Sequence, residues 1–327
     1  MRRLLTLLLG ATLCLLMLGC QGRGEPEKRT LKALPKDPTK LVVGFSQTGA
    51  EGAWRVAHTR SIRSEAEKRG IQLLFADGQN VHNNQVNAVN GFITKGVDII
   101  VISPQESIGW KPTLKEAKRA GIPVILTSRG VDADEDLYET VIAADFLWEG
   151  REAAKWLVEK TGGKANVIEI VGTPAADVAV LRKKGFAEII AQHPNMRILA
   201  SQSGDFTRSK ARTVMEALLE GHKGEIDAVY AHDDPMALGA IQAIEAAGLV
   251  PGKDILVIGV GAVKAGFEAM IAGTLNATVE CTALHGPLVF DAVEKVARGE
   301  KLPKKFVVPG QVFEQSQAAA LVDSRVY

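Results

Sequence analysis

The chain has 327 residues, with 39 Lys and Arg against 38 Asp and Glu and a formal charge of +1. That balance implies neither a nucleic-acid partner nor a broad acidic-surface partner. Its three cysteines, Cys14, Cys20 and Cys281, leave one thiol in the body of the chain, which excludes a disulfide-stapled scaffold; stability has to come from large cores, and ~300 residues are enough for two domains.

Residues 1–20 read MRRLLTLLLGATLCLLMLGC, with Arg2 and Arg3 ahead of an uncharged run from Leu4 to Leu18. The run is shorter than the ~20 residues of a spanning helix and has the layout of an export signal peptide. Met17-Leu18-Gly19-Cys20 resembles a lipobox, with Met17 where Leu is usual. On that reading Cys20 is lipidated and the mature lipoprotein works in the periplasm or at the cell surface, anchored to a membrane. An ordinary secreted signal in which Cys20 is incidental is the alternative. Residues 21–40 hold three prolines and many charges, the composition of a tether.

From Leu41 the chain alternates between short apolar runs and segments of helical period. The runs are 41–46, 71–76, 98–103 and 122–128, then 166–172, 197–203, 226–232 and 254–260. Helices are predicted over Gly52–Lys68, Asn83–Lys95, Trp110–Ala120, Trp148–Lys160, Leu181–Ala191, Ser209–Gly221 and Pro235–Ala247. Apolar runs joined by helices predict parallel strands covered on both faces. Gly70, Gly121 and Gly248 stand where a left-handed residue stops a helix. Two α/β blocks follow, 41–145 and 146–280, with strand-like segments at 276–280 and 306–313 that cross back.

In open α/β sheets ligands bind beyond the carboxyl ends of the strands, so the residues there are the candidate lining. After the first strand come Glu51, Trp54 and Arg55. An aromatic face, a carboxylate and a guanidinium within one turn suit a sugar, the ring covering its C–H face while the charges hold hydroxyls. Taken alone, the same stretch also reads as a core indole beside a surface ion pair. Trp110 follows the third strand, Ser128-Arg129 the fourth, and Arg182 opens a helix of the second block. Cys281 reads as a small buried residue, with no metal site around it.

VGFSQTGAEGAWR (43–55), EAEKRGIQLLFADGQ (65–79), RKKGFAEII (182–190), SQSGDFTRSK (201–210), YAHDDPMALGAIQAI (230–244) and PGKDIL (251–256) resemble the sugar-binding proteins of the periplasmic-binding-protein type I family, most nearly its galactofuranose-binding branch. The resemblance implies two Rossmann-like three-layer α/β/α domains joined by a hinge of three crossings. The domains would be 41–145 plus about 281–306, and 146–280 plus about 307–327. It implies a monomer that closes on one monosaccharide or sugar derivative and delivers it to an ABC transporter permease, with no cofactor and no catalysis. Glu51, Trp54, Arg55, Arg129 and Arg182 fall on ligand-contacting positions of that family. Four positions depart from it: Ser128 and Gly261 stand where it has Asp, Asp233 where it has Asn, and Phe146 where it has Asn. With three arginines against Glu51 and Asp233, the cleft is expected to lean one charge more positive than that family's pattern and to take a larger or acidic sugar.

Three other readings are weaker. VIGVGAVKAG (257–266) looks like a dinucleotide fingerprint, but its glycines miss the G-x-G-x-x-G spacing. No hydrolase signature is present. A sugar-responsive repressor needs a DNA-binding head where this chain has an export signal. A receptor presenting its sugar to a membrane sensor kinase or chemoreceptor shares the same body and stays open as an alternative.

Overall fold

The computed structural model describes residues 33–50 and 52–327. In the first sheet β1 (Val42–Gln47) lies between β2 (Gln72–Asp77) and β3 (Ile99–Ile102), and β4 (Val124–Thr127) and β5 (Thr140–Ala144) extend it, all parallel. The second sheet repeats the plan: β6 (Lys164–Val171) lies between β7 (Asn195–Ser203) and β8 (Ala228–Ala231), followed by β9 (Leu256–Gly261) and β10 (Ala277–Glu280). β11 (Lys305–Val308) joins the first sheet parallel to β5, and β12 (Val312–Glu314) joins the second antiparallel to β10. The orders are therefore β11-β5-β4-β3-β1-β2 and β12-β10-β9-β8-β6-β7. This is the periplasmic-binding-protein type I architecture, and in each sheet the order reverses beside the first strand, where α/β folds place their ligands.

α1 (Ala53–Lys68), α2 (His82–Lys95) and α3 (Lys111–Ala120) serve the first sheet. α4 (Phe146–Thr161), α5 (Asp177–Ile190), α6 (Arg208–Gly221), α7 (Asp234–Ala246) and α8 (Lys264–Ile271) serve the second. α9 (Gly286–Ala297) packs on α1, and α10 (Gln315–Leu321) on α8. The run IIVI of β3 is continuous because both faces of the sheet are covered. Ile99 and Val101 enter the cluster under α1 and α9, while Ile100 and Ile102 enter the one under α2 and α3.

Four expectations change. Residues 306–313 are two strands in two sheets, because Pro309 cannot donate to a ladder; the third crossing falls at 309–311, not near 306. β5 was not expected, although Thr140, Val141 and Ile142 favour a strand; the run is five residues long and closes on Ala143 and Ala144, which carry little strand preference. α5 begins at Asp177, so Arg182 sits in its second turn instead of opening it. Of the proposed tether, residues 33–40 belong to the body. There Leu34 packs on the first core, and Asp37 caps a short 3-10 helix over Pro38–Lys40.

The crossing of α4 on α5 is tight. A methyl on Gly150 would meet the carbonyl of Arg182, and one on Gly185 the carbonyl of Leu147. Gly185→Ala should therefore push the helices apart and cost ~1–3 kcal/mol although Ala is the better helix former, a fall of roughly 2–10 °C in Tm. An unchanged Tm in thermal unfolding would mean that the two helices slide freely.

Candidate functional site

Three strand ends of the first sheet converge on one guanidinium. Arg55, in the first turn of α1, donates through Nη1 to Ser103 Oγ beyond β3 (2.8 Å) and to Ser128 Oγ beyond β4 (3.0 Å), with Gln47 Oε1 of β1 at 3.4 Å. Ser128 takes φ +65 to aim its hydroxyl there, a strained setting for a residue with a Cβ. Arg129 donates to the Gln105 carbonyl (3.0 Å). Trp54 stacks on His58 (5.1 Å between centroids, 12° between planes), and its Nε1–H donates to the carbonyl of Cys281 on the second crossing. The Arg55 guanidinium lies 4.8 Å from the centre of the same indole.

On the second sheet's side, Arg182 donates from Nε to Glu149 Oε2 of α4 (2.7 Å) and from Nη1 to the carbonyl of His232. Both side chains are buried. Burial raises the Glu149 pKa against the pull of Arg182; burial also works against the guanidinium, but Glu149 overcomes it and keeps Arg182 charged. Phe206 holds φ +57 and lays its ring against Gly172, where a Cβ would collide with it.

His232, Asp233 and Asp234 diverge. His232 meets the buried Glu169 (3.0 Å); Asp233 caps α7 at Met236 N–H (2.8 Å); Asp234 turns inward to Thr278 Oγ1 (2.6 Å) and Val263 N–H (2.9 Å). Gly259 and Gly266 of the fingerprint-like segment leave room for that carboxylate. The glycines thus accommodate a side chain of this protein, which accounts for their pattern without a dinucleotide.

Between the two walls lies a cavity of about 70 Å³, room for about five to seven water molecules, the scale of one five- or six-carbon sugar. The first sheet contributes Trp54, Arg55, Ser128 and Arg129. The second contributes Arg182 and Asp233 among Phe146, Val178, Phe206, Val260, Gly261 and Val263, and the hinge contributes Cys281. The walls touch: Gly130 N–H donates to Asp177 Oδ2 (2.7 Å), Ser107 N–H to the Ala175 carbonyl (3.1 Å), and Arg129 lies over Phe206 (5.4 Å). The lobes are closed.

Behind Trp54 runs a buried polar chain. The Gln47 amide donates to His58 Nδ1 (3.1 Å), which puts the His58 proton on Nε2, facing Thr127 Oγ1 (3.2 Å); Thr127 in turn meets His285 Nδ1 (3.0 Å) on the second crossing. Burial, with charged neighbours adding to it, holds His58 well below the ordinary range and His285 at about 4.

Of the residues singled out from the sequence, Trp54, Arg55, Ser128, Arg129, Arg182, Asp233 and Gly261 meet in this cavity. Glu51 and Cys20 lie outside the described residues. Trp110 does not reach the cavity. It is fully buried between α2 and α3, edge-on to His82, with its N–H on the Glu106 carbonyl, because the chain after Gly109 turns the indole inward. The count of cleft charges also left out Glu149, the buried carboxylate that faces Arg182. Nothing in the sequence marked Glu149, a Glu within an ordinary helical segment. Phe206 and Asp177 were missed for the same reason, although Phe206 lies inside the quoted string SQSGDFTRSK.

Residues 43–284 match the periplasmic binding protein domain family. The chain is 50% identical to the galactofuranose-binding protein YtfQ of Escherichia coli K12 over 272 residues, 82% of this chain and 86% of that one. It is 34% identical to the ribose import binding protein RbsB of Bacillus subtilis, over 87% of this chain and 91% of that one. The binding component of the arabinose ABC transporter from Shewanella sp. ANA-3, bound to α- and β-L-arabinofuranose, superposes with a TM-score of 0.85 at 46% identity, covering 87% and 95% of the two chains.

Two outcomes follow from this geometry. Asp177 lines none of the cavity, so Asp177→Ala should weaken ligand affinity roughly tenfold, mostly through faster dissociation, by removing a charge-assisted bond across the closed cleft; equal dissociation rates in the two proteins would show that closure does not lean on this contact. The second concerns pH. His285 takes a proton near 6.5 when unfolded but only near 4 when folded, so its stabilisation is complete above 6.5 and is lost as pH falls from 6.5 towards 4. Burial holds Asp234 near 6 in the fold against 3.8 unfolded. It works the other way, its contribution complete below 3.8 and lost as pH rises through 6. Calorimetry from pH 7.5 to 4 should show a shallower acid-side decline in Tm for His285→Gln and a steeper one for Asp234→Asn. Parallel curves for all three proteins would contradict it.

Proposed function

The chain belongs to the periplasmic binding protein domain family, and from that premise we propose that it is an extracytoplasmic receptor that closes on one neutral monosaccharide in its furanose form and hands it to the permease of an ABC importer. The observation that carries this is the monosaccharide-sized cavity between two walls in contact, with an aromatic face and three guanidiniums on it. The ligands named for two relatives, galactofuranose and L-arabinofuranose, support the furanose ring. Neutrality rests on the two ligands named for the relatives, both uncharged, and on Glu149, the carboxylate that already pairs Arg182. The acidic sugar expected from the arginines of the cleft is the competing outcome of the titration below. The lining suits binding without turnover: among its described residues the one thiol, Cys281, is held well above its ordinary pKa by burial and so stays protonated instead of acting as a nucleophile.

Among the described residues no helix is long and apolar enough to cross a membrane. The anchor in this proposal is Cys20, lipidated and followed by a tether shorter than 21–40.

Calorimetric titration of residues 33–327 with pentoses, hexoses and sugar acids should find a neutral aldose bound at micromolar Kd or better, recovered unchanged. Trp54→Ala should cost ~1–3 kcal/mol of that affinity. Conversion of the sugar, or binding of acids alone, would overturn the reading.

A further inference from the structure

The lobes are joined covalently at three crossings, at Asp145, over 281–285 and over 309–311. Residues 325–327, which follow α10 and a short 3-10 helix over Val322–Ser324, lie across this hinge and are held on both of its sides. Arg325 is anchored to the second lobe. Its guanidinium lies 4.7 Å from the ring centre of Phe267 in α8 and 4.4 Å from that of Phe313 in β12, and Nη1 donates to Glu280 Oε1 at the end of β10 (2.9 Å). Both rings are buried, so the anchor combines cation–π contact with a charged pair. The Tyr327 carbonyl accepts from Lys264 N–H at the start of α8, again in the second lobe, and its hydroxyl oxygen accepts from Ala283 N–H on the second crossing (2.9 Å). Between these two anchors the Val326 carbonyl reaches the first lobe, where Arg60 Nη2 of α1 donates to it (2.8 Å).

The crossing that Tyr327 grips is also the one on which the ligand wall leans. The Cys281 carbonyl takes the Trp54 Nε1–H from the cleft, and Gly286 N–H donates to Ser61 Oγ of α1 (2.9 Å). Arg60 moves with the first lobe, whereas Arg325 and Tyr327 move with the second. The Arg60–Val326 bond therefore joins bodies that rotate against each other when the cleft opens, and it is formed here with the two walls in contact. An interaction made in one of two states favours that state by its own free energy. We propose that residues 325–327 are a strap that latches the closed form onto Arg60 and so sets ligand affinity from outside the cleft. This goes beyond the sugar-binding reading, since it concerns closure of the free protein and holds whichever sugar is taken. Arg60 and Tyr327 act as positioning residues, and neither lines the cavity.

The test measures the lobe separation in ligand-free protein. Spin labels are placed at Ile108→Cys and Val180→Cys, both exposed; Ile108 follows Ser107 and Val180 lies on α5, beyond Ala175, so the pair brackets a contact of the closed cleft. The Cys281 thiol is buried and stays unlabelled. Pulsed electron paramagnetic resonance should show a short, closed distance beside a longer, open one. Arg60→Ala should lower the closed-to-open ratio roughly two- to fivefold, the scale of one exposed charged contact. Its Tm should stay within ~2 °C of the parent, as for other surface changes. Arg60→Lys, which keeps a cationic donor, should restore most of the ratio. Tyr327→Phe, which takes the acceptor from Ala283 N–H, should lower it by about tenfold. Should Tyr327→Phe fail to fold, Arg60→Ala decides alone. Distributions equal to the parent's overturn the strap, as does a shift towards the closed distance, which would show residues 325–327 propping the cleft open. A loss in Arg60→Ala that Arg60→Lys leaves unrepaired overturns the role given to the Val326 bond.

Discussion

Three guanidinium groups sit in one cleft with almost no solvent around them, and a buried charge is tolerated only where partners replace its water. Arg55 takes its partners from the ends of β1, β3 and β4, Arg129 takes carbonyls of the loop after β3, and Arg182 takes Glu149 and the His232 carbonyl. Those groups come from segments far apart in the chain, and each must stand within ~3 Å of its guanidinium. The parallel sheets supply that placement by ending adjacent strands at one level. The tight α4–α5 crossing supplies it for the ion pair, since Arg182 and Glu149 lie on the two helices that Gly150 and Gly185 bring together.

The fold does this twice. β2-β1-β3-β4-β5 and β7-β6-β8-β9-β10 are the same order, and the loops after the edge strands repeat as well. Gln79 and Asn80 are left-handed after β2, and Asp205 and Phe206 after β7. Asn80 packs on Gly49 in the first lobe as Phe206 packs on Gly172 in the second. One device thus delivers an amide to the first lobe and a phenyl ring to the cavity wall of the second. The difference in chemistry between the walls arises on a shared backbone plan. Contacts such as Gly130 to Asp177 and Ser107 to Ala175 then bring the two walls to face each other, and closure rather than either wall alone defines the enclosed volume.

Strand and helix alternation was legible because burial on both faces leaves continuous apolar runs, and that pattern is local. The positions after strands were legible for the same reason: once a strand is placed, its carboxyl end is placed, and Trp54, Arg55, Ser128 and Arg129 follow from it. Trp110 obeyed the same rule and went into the core, because the rule locates a backbone end and says nothing of which way the side chain then turns. Glu149 was invisible for the complementary reason. A Glu in a helix is ordinary until another helix lays an Arg beside it.

The amino-acid sequence by itself therefore determined the α/β class, the two-block plan and most of the residues able to touch a ligand, since these depend on period, composition and strand ends. Tertiary structure alone decided the charge balance and polarity of the cleft. The Glu149–Arg182 pair, the apolar wall around Phe146 and Val263, and the histidine chain behind Trp54 join residues separated by 11 to 158 positions where a hydrogen bond links them. A chain carries no local record of such meetings, because the energy that fixes them exists only once the sheets and helices have packed.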